Sequence, residues 1–211
     1  MRPLRIAMLC HSTNPRGGVA HALALAEALG ARGHSVVVHA PDPALQGFPR
    51  AARCGLVSVA AGPAPEGGLP ALVAQRIDEY ARHFRRTSPD DWDVVHAHDG
   101  IGANALFQLR AEGWRVPIAR TVHHLDPFAD ARLAEWQDRS VREADGVACV
   151  SRHWQALLRR DYGRVATLVG NGVDLQRFGP QARLTDPEVV SRHLRGVARP
   201  LILSIGGVEA R

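Results

Sequence analysis

LRIAMLCHSTNPRGGVAHALALAEAL, residues 4–29, is the stretch whose reading decides the fold. Leu4–Cys10 is a short apolar run of the kind that forms a strand buried on both faces. Behind it Val19, Ala22, Leu23, Ala26 and Leu29 recur at three- and four-residue intervals, which predicts a helix with one apolar side. Pro15, Gly17 and Gly18 between them predict a tight loop whose backbone can come close to a ligand. Free N–H groups and the positive end of the helix dipole then suit an anion such as phosphate. An ordinary strand-to-helix turn carries the same local pattern, so the loop alone leaves both readings open.

Outward from this unit the alternation repeats. Gly33 and His34 stand where the first helix should end, with Arg32 in its last turn. Ser35–Ala40 (SVVVHA) predicts a strand, and the Pro-, Gly- and Ala-rich segment Pro41–Gly68 a long irregular connection holding one short strand, Leu56–Ala60. Leu69–Arg86 reads as a helix, Asp93–Ala97 as a strand, and Gly100–Ala111 as a helix closed by Gly113. Pro117–Val122 is a strand with proline at its first residue, where no ladder donor is needed. Ala129–Ala144 is a helix with Leu133, Trp136, Ser140 and Ala144 on one side. Gly146–Val150 is a strand, after which Ser151 caps a helix carrying Trp154, Leu157 and Leu158 inward. Arg164–Val169 is a further strand. Strands alternating with helices of this length predict an α/β fold, a Rossmann-like doubly wound and mostly parallel sheet covered on both faces.

Residues 1–170 are thus expected to form one domain. Residues 171–200, with three prolines and one short helical run near Pro187–Leu194, read as a connector. Leu201–Ile205 (LILSI) predicts a buried strand with Gly206 and Gly207 behind it, so 201–211 is expected to begin an incomplete second domain and the chain to be the first half of a longer protein.

Composition sets limits on function. The chain has 211 residues, 45% of them apolar, enough for one full α/β core. All 26 basic residues are Arg, and the net charge of +5 is modest and spread out, so no nucleic-acid partner is expected. Arg82, Arg85 and Arg86 share one helical face, which reads as a solvated face or as a weak peripheral membrane contact. The three cysteines, Cys10, Cys54 and Cys149, form neither a disulfide framework nor a metal spacing, which points to a reducing cytoplasm. The apolar run after Arg2 and Arg5 is too short for a signal peptide, and nothing approaches transmembrane length.

Ligands of open α/β sheets bind outside the carboxyl ends of the strands. Those ends carry His11 and Ser12, His98 and Asp99, His123 and His124, Ser151 and Asn171, on the same edge as the Gly17-Gly18 loop. Three readings of the histidines compete. His96 and His98 at i, i+2 with Asp99 behind them could serve a metal, although HAHD has no metallohydrolase spacing. Hydrogen bonding or proton transfer at a polar substrate suits His98 and His123 better. His96, inside a strand, and His39 read as satisfied structural histidines. No GxGxxG, P-loop GK[ST] or GxSxG motif is present, which argues against an NAD enzyme, an NTPase and a serine hydrolase.

Several of these segments together resemble the family-four retaining glycosyltransferases of GT-B fold. PRGGVAHALALAEALGARGH is similar to that family's first loop and helix, DVVHAHDG to its strand ending in a His pair, and RTVHHLD to its (T/V)(F/V)H segment. SRHWQALLRRDYG resembles its "VS…" helix, VGNGVDLQRFGP its crossing toward the second domain, and SIGGVEAR the start of that domain. The resemblance implies two facing Rossmann-like domains, the first taking mainly the acceptor and the second mainly the nucleotide-sugar donor. It implies contact of the Gly17 and Gly18 backbone with the donor diphosphate, a catalytic place for His123 near the reacting carbon, and acceptor contacts from Asn14, Arg16, His98 and Asp99. It also implies transfer with retention, a sugar, lipid or small-molecule acceptor, and no metal or other cofactor. Gly207 stands where many relatives carry Arg, and the phosphate-binding Lys and paired Glu would lie past Arg211, so this chain alone is expected to be inactive. The competing expectations are a non-catalytic ligand-binding module or decayed fragment, and a metal-dependent hydrolase using His11, His98, Asp99 and His123.

Overall fold

The computed structural model describes residues 2–14, 16–179 and 187–196. The strands β1 (Arg5–Leu9), β2 (Ser35–Asp42), β3 (Gly55–Ala60), β4 (Val94–Ala97), β5 (Ile118–Val122), β6 (Gly146–Cys149) and β7 (Thr167–Leu168) form one seven-stranded sheet. Its order is β3-β2-β1-β4-β5-β6-β7, and every pairing is parallel. The expected doubly wound sheet is therefore present, and it is wholly parallel. From β1 the chain steps outward through β2 to β3, then returns to lay β4 on the other side of β1, with Ile6 opposite both Val36 and Val94. That reversal opens a crevice at the carboxyl ends of β1 and β4.

Pleating divides the apolar residues between two cores. Ile6, Met8 and Cys10 with Val36, Val38 and Ala40 pack against Val19, Ala22, Leu23 and Ala26 of α1 (Gly17–Gly30). Ala7, Leu9, Val95, Ala97 and Ile118 face the other way, toward α2 (Gly68–Phe84), α3 (Gly100–Ala111), α4 (Ala131–Arg142) and α5 (Arg152–Tyr162). Each large side chain buried this way contributes about 1.5–3 kcal/mol. Tyr80, fully buried on α2, points its hydroxyl at the carbonyls of Cys10 (2.6 Å) and His39 (2.8 Å), tying α2 to the ends of β1 and β2.

Gly102 fixes how closely α3 approaches β1. A Cβ there would lie 2.8 Å from the Leu9 Cβ, an atom with no freedom to swing aside. Gly102→Ala should therefore cost about 1–3 kcal/mol in thermal melts. Gly146→Ala is the control, since a Cβ at Gly146 meets nothing within 4 Å and should leave stability almost unchanged.

Several boundaries differ from the sequence expectation for identifiable reasons. β2 continues past Ala40 through Pro41 to Asp42 because pairing with β1 ends at His39, leaving only β3 alongside, opposite Val59 and Ala60. Asp42 then closes the following turn by accepting from the Gln46 and Gly47 amides and the Ser58 hydroxyl. The strand expected at Arg164–Val169 shrinks to Thr167–Leu168 at the sheet edge, where Val165 and Val169 are exposed and the Ala166 carbonyl accepts from the Gln155 side chain. α2 stops at Phe84, whose carbonyl takes the Thr87 hydroxyl, and α4 begins at Ala131 because Asp130 caps it. On α5 only Leu158 is fully buried, with Trp154 packed partly against the core. Cys10, Cys54 and Cys149 are all free thiols.

The chain divides into two units, Met1–Gly172 and Val173–Arg211. In the second, α6 (Leu175–Phe178) and α7 (Pro187–Leu194) are described. The strand expected at Leu201–Ile205 and the glycines behind it lie outside the described residues.

Candidate functional site

The site forms at the crevice between β1 and β4, roofed by the head of α1. Arg16 occupies the N-cap in extended conformation without a side-chain cap, and no acidic residue sits in the first turn. The positive end of this helix is thus left uncompensated by its own sequence. Gly17 and Gly18 are the first residues of α1 rather than part of the loop before it, and neither has positive φ. Their smallness serves closeness instead. A Cβ on Gly18 would touch the His123 ring at 3.5 Å, while Gly17 opens on free space.

Four imidazoles converge beside these glycines. His96 shares the α1 side of the sheet, opposite in pleat to buried Val95 and Ala97. His98 follows the end of β4 and His123 the end of β5, while His21 comes from α1. His98 Nδ1 and His123 Nε2 are 3.2 Å apart and share one hydrogen. His96 Nε2 meets the Thr121 hydroxyl at 2.8 Å, and its ring centroid lies 4.4 Å from that of His98. The His21 ring stands edge-on to His123 at 4.9 Å and 5.8 Å from His98.

Desolvation depresses the basicity of all four. It lowers His123 from 6.5 to about 3 and His96 to about 4, with Arg120 and the neighbouring imidazoles adding to the effect. His98 is pushed well below its ordinary value and His21 is lowered, the latter partly offset by its bond to Asn171. Arg120, buried within β5, is itself brought down to about 10 by desolvation, against the pull of Asp99. Near pH 7 the cluster consists of neutral imidazoles. Such rings give and take hydrogen bonds without adding positive charge of their own.

The residues singled out from sequence separate into groups. Gly18, His98 and His123 are brought together. Asn14 and Arg16 are exposed on the β1–α1 connection, where the Asn14 carbonyl accepts from the Arg16 amide. Asp99 uses Oδ1 to cap α3 through the Gly102 amide at 2.8 Å, while its Oδ2 is buried without a partner. Ser151 caps α5 through the Trp154 amide. His11 is exposed, and His124 turns to Asp126 at 3.3 Å. Among the described residues no three His, Cys, Asp or Glu side chains form a group that could hold a metal ion. His96 is satisfied by Thr121. His39 pairs its Nδ1 with His83 on the opposite face at 3.1 Å yet leaves Nε2 without a partner.

Two cluster residues were not read from the sequence. His21 lies three residues after Gly18, a spacing that puts both on one helix face. Arg120 is a lone charge inside the apolar run PIARTV. Elsewhere, Arg85 is engaged by Glu112 at 2.6 Å, which removes one cation from the basic face around Arg82 and Arg86. No described helix is long and apolar enough to cross a membrane.

Comparison with known proteins agrees with this architecture. The phosphatidyl-myo-inositol mannosyltransferase of Mycobacterium tuberculosis is 30% identical over 189 residues, covering 86% of this chain and 48% of that protein. A D-inositol 3-phosphate glycosyltransferase of Streptomyces bingchenggensis is 29% identical over 106 residues, 44% of this chain and 23% of the relative. The chain thus spans about half the length of the curated mannosyltransferases it matches. Among solved structures, sucrose-phosphate synthase from Thermosynechococcus elongatus superposes with a TM-score of 0.65 at 19% identity, over 83% of this chain and 49% of that one, a likeness of fold. The model of glycosyltransferase family 4 matches residues 15–177, from the loop before α1 into α6, and the chain belongs to that family.

Proposed function

We propose that the complete protein transfers a sugar from a nucleotide-sugar donor to an acceptor hydroxyl with retention of configuration, and that this chain supplies the acceptor-side wall of the cleft. The observation that carries the reading is the Gly18 backbone held against the His123 ring at the uncapped head of α1. An anionic diphosphate finds N–H donors and a favourable dipole there. The ring beside it reaches toward the sugar joined to that diphosphate. In the transfer the anomeric carbon–oxygen bond to the diphosphate breaks, a bond to the acceptor oxygen forms, and the proton of the acceptor hydroxyl passes to the departing diphosphate oxygen. With its basicity held to about 3, His123 acts as a neutral hydrogen-bonding group and not as a proton donor. His98, bonded to His123, orients it. Asn14, Arg16 and the free edge of Asp99 border the acceptor side, and charge on the leaving diphosphate is met by groups of the second domain. Both relatives are named for inositol, which supports a polyhydroxylated acceptor.

A donor screen tests the reading. The complete protein, incubated with UDP-glucose, UDP-N-acetylglucosamine and GDP-mannose in the presence of a chelator, should slowly hydrolyse one of them. Hydrolysis should accelerate when a polyol acceptor such as myo-inositol phosphate is added, and the product anomer should match the donor. Consumption of no donor, or an inverted product, would defeat the proposal. Binding without turnover would favour a ligand-binding module.

A further inference from the structure

His21 is held from outside its own helix. Its Nδ1 lies 3.2 Å from Oδ1 of Asn171, a residue 150 positions away and next to the boundary after Gly172 where the first unit ends. Oδ1 of Asn171 only accepts, so the His21 Nδ1 carries the hydrogen and its Nε2 the lone pair. That Nε2 is shielded from solvent and has no partner. A buried nitrogen without a partner carries a desolvation cost that a purely structural packing position would shed by becoming apolar. The ring it belongs to stands 4.9 Å from His123, edge against face at 75°. His123 is therefore bounded on three sides, by the Gly18 backbone, by the His98 hydrogen bond and by the His21 ring.

We propose that His21 is a positioning residue for His123 and Asn171 the clamp that sets it, so that the start of the link to the second unit and the reacting-side histidine are mechanically joined. The proposal rests on the reading of His123 given above. Asn171 is exposed and, among the described residues, its side chain bonds through the amide oxygen to His21, so displacement of the link at residue 171 frees the His21 ring. A freed His21 ring in turn removes one of the three restraints on His123. His21 and Asn171 then act through His123 and touch no substrate.

Two measurements decide it. In the complete protein, with hydrolysis of the donor found in the screen as the assay, Asn171→Ala and His21→Asn should each lower kcat about tenfold with KM changed less than about twofold. The double variant should be no worse than either single one, since both break one linkage. In a His123→Ala background, His21→Asn should have no further effect, because nothing is left to position. Asn171→Asp keeps an acceptor for Nδ1–H and should restore most of kcat at neutral pH, with the acid limb of the pH profile moved upward as His21 becomes easier to protonate. Additive losses, or a further drop in the His123→Ala background, would overturn the proposal in favour of a structural role. The second measurement needs no turnover. In imidazole 15N–1H spectra of this chain, wild-type His21 should show hydrogen on Nδ1. Asn171→Ala should then shift the His123 ring signals while leaving the His39–His83 pair on the opposite face in place. Unmoved His123 signals would refute the clamp even if the transferase assay succeeds. A wild-type protein that turns over no donor would defeat the transferase reading alone, and the spectra would still decide the clamp.

Discussion

His123→Ala should lower turnover of the complete protein by about 100- to 1000-fold, the loss that follows removal of one preorganised hydrogen-bonding group beside a reacting centre. The same substitution should barely move the melting temperature. His123 is half-buried at the sheet edge, and its removal relieves a desolvated imidazole as well as breaking one contact with His98. The effect should fall on kcat more than on KM, because a group near the anomeric carbon acts mainly as charge develops there. His124→Ala is the matched control, since that ring is exposed and turned toward Asp126. Parallel loss of stability and turnover in His123→Ala would make His123 a structural residue and remove it from the site.

The second large effect is on acid stability. His39 and His123 are held to about 3 and His96 to about 4, each below its ordinary 6.5, with desolvation the leading cause in each. His98, His21 and His83 shift in the same direction. Below pH 6.5 the unfolded chain binds protons that the folded chain refuses, so stability falls with pH and goes on falling until the folded values are reached. Each unit of depression is worth about 1.4 kcal/mol, and His39, only 3% exposed, accounts for at most about 5 kcal/mol by pH 3. Against a reserve of about 5–15 kcal/mol for an ordinary domain, such a set of rings cannot stay neutral to pH 4. Melting temperature should be flat above pH 7, decline from about pH 6, and collapse near pH 4–5, with uptake of several protons on unfolding. Carboxylates such as Asp93, held to about 2 chiefly by its bond to Arg5, lose their contribution only at lower pH, which separates the two windows. His39→Leu should reduce the slope between pH 6 and pH 4 by about one proton. A melting temperature unchanged between pH 7 and pH 5 would refute this account.

Fold class was legible because period and punctuation agreed along the chain. Apolar runs of strand length, such as Ile118–Val122, alternate with helices whose inner faces are spelled out by residues such as Leu133 and Ser140. Boundaries were less legible where a neighbour decides them. Pro41 stays in β2 only because β1 has already ended, and Val165 drops out of β7 because nothing covers the sheet edge. At the site, the strand-end rule located His98 and His123 but could not show that they bond to each other. It passed over His21 because that residue reaches the crevice from a helix. Gly18 reads from the sequence as part of a tight loop whose backbone can come close to a ligand, whereas it lies in the first turn of α1 with the His123 ring beside it. Asp99 was placed on the acceptor side, and one of its oxygens is occupied as a helix cap.

The strand order has a consequence for how the chain is made. β1, an interior strand, pairs with β2 soon after synthesis, but its other neighbour, Val94–Ala97, begins 88 positions after Ile6. At about 5–20 residues per second, roughly 5–20 s pass before that edge can be covered. During that interval Met8 and Leu9, both fully buried in the finished fold, border an open strand edge. Strand β1 is thus made before either of its neighbours, and its second edge is covered only when β4 arrives.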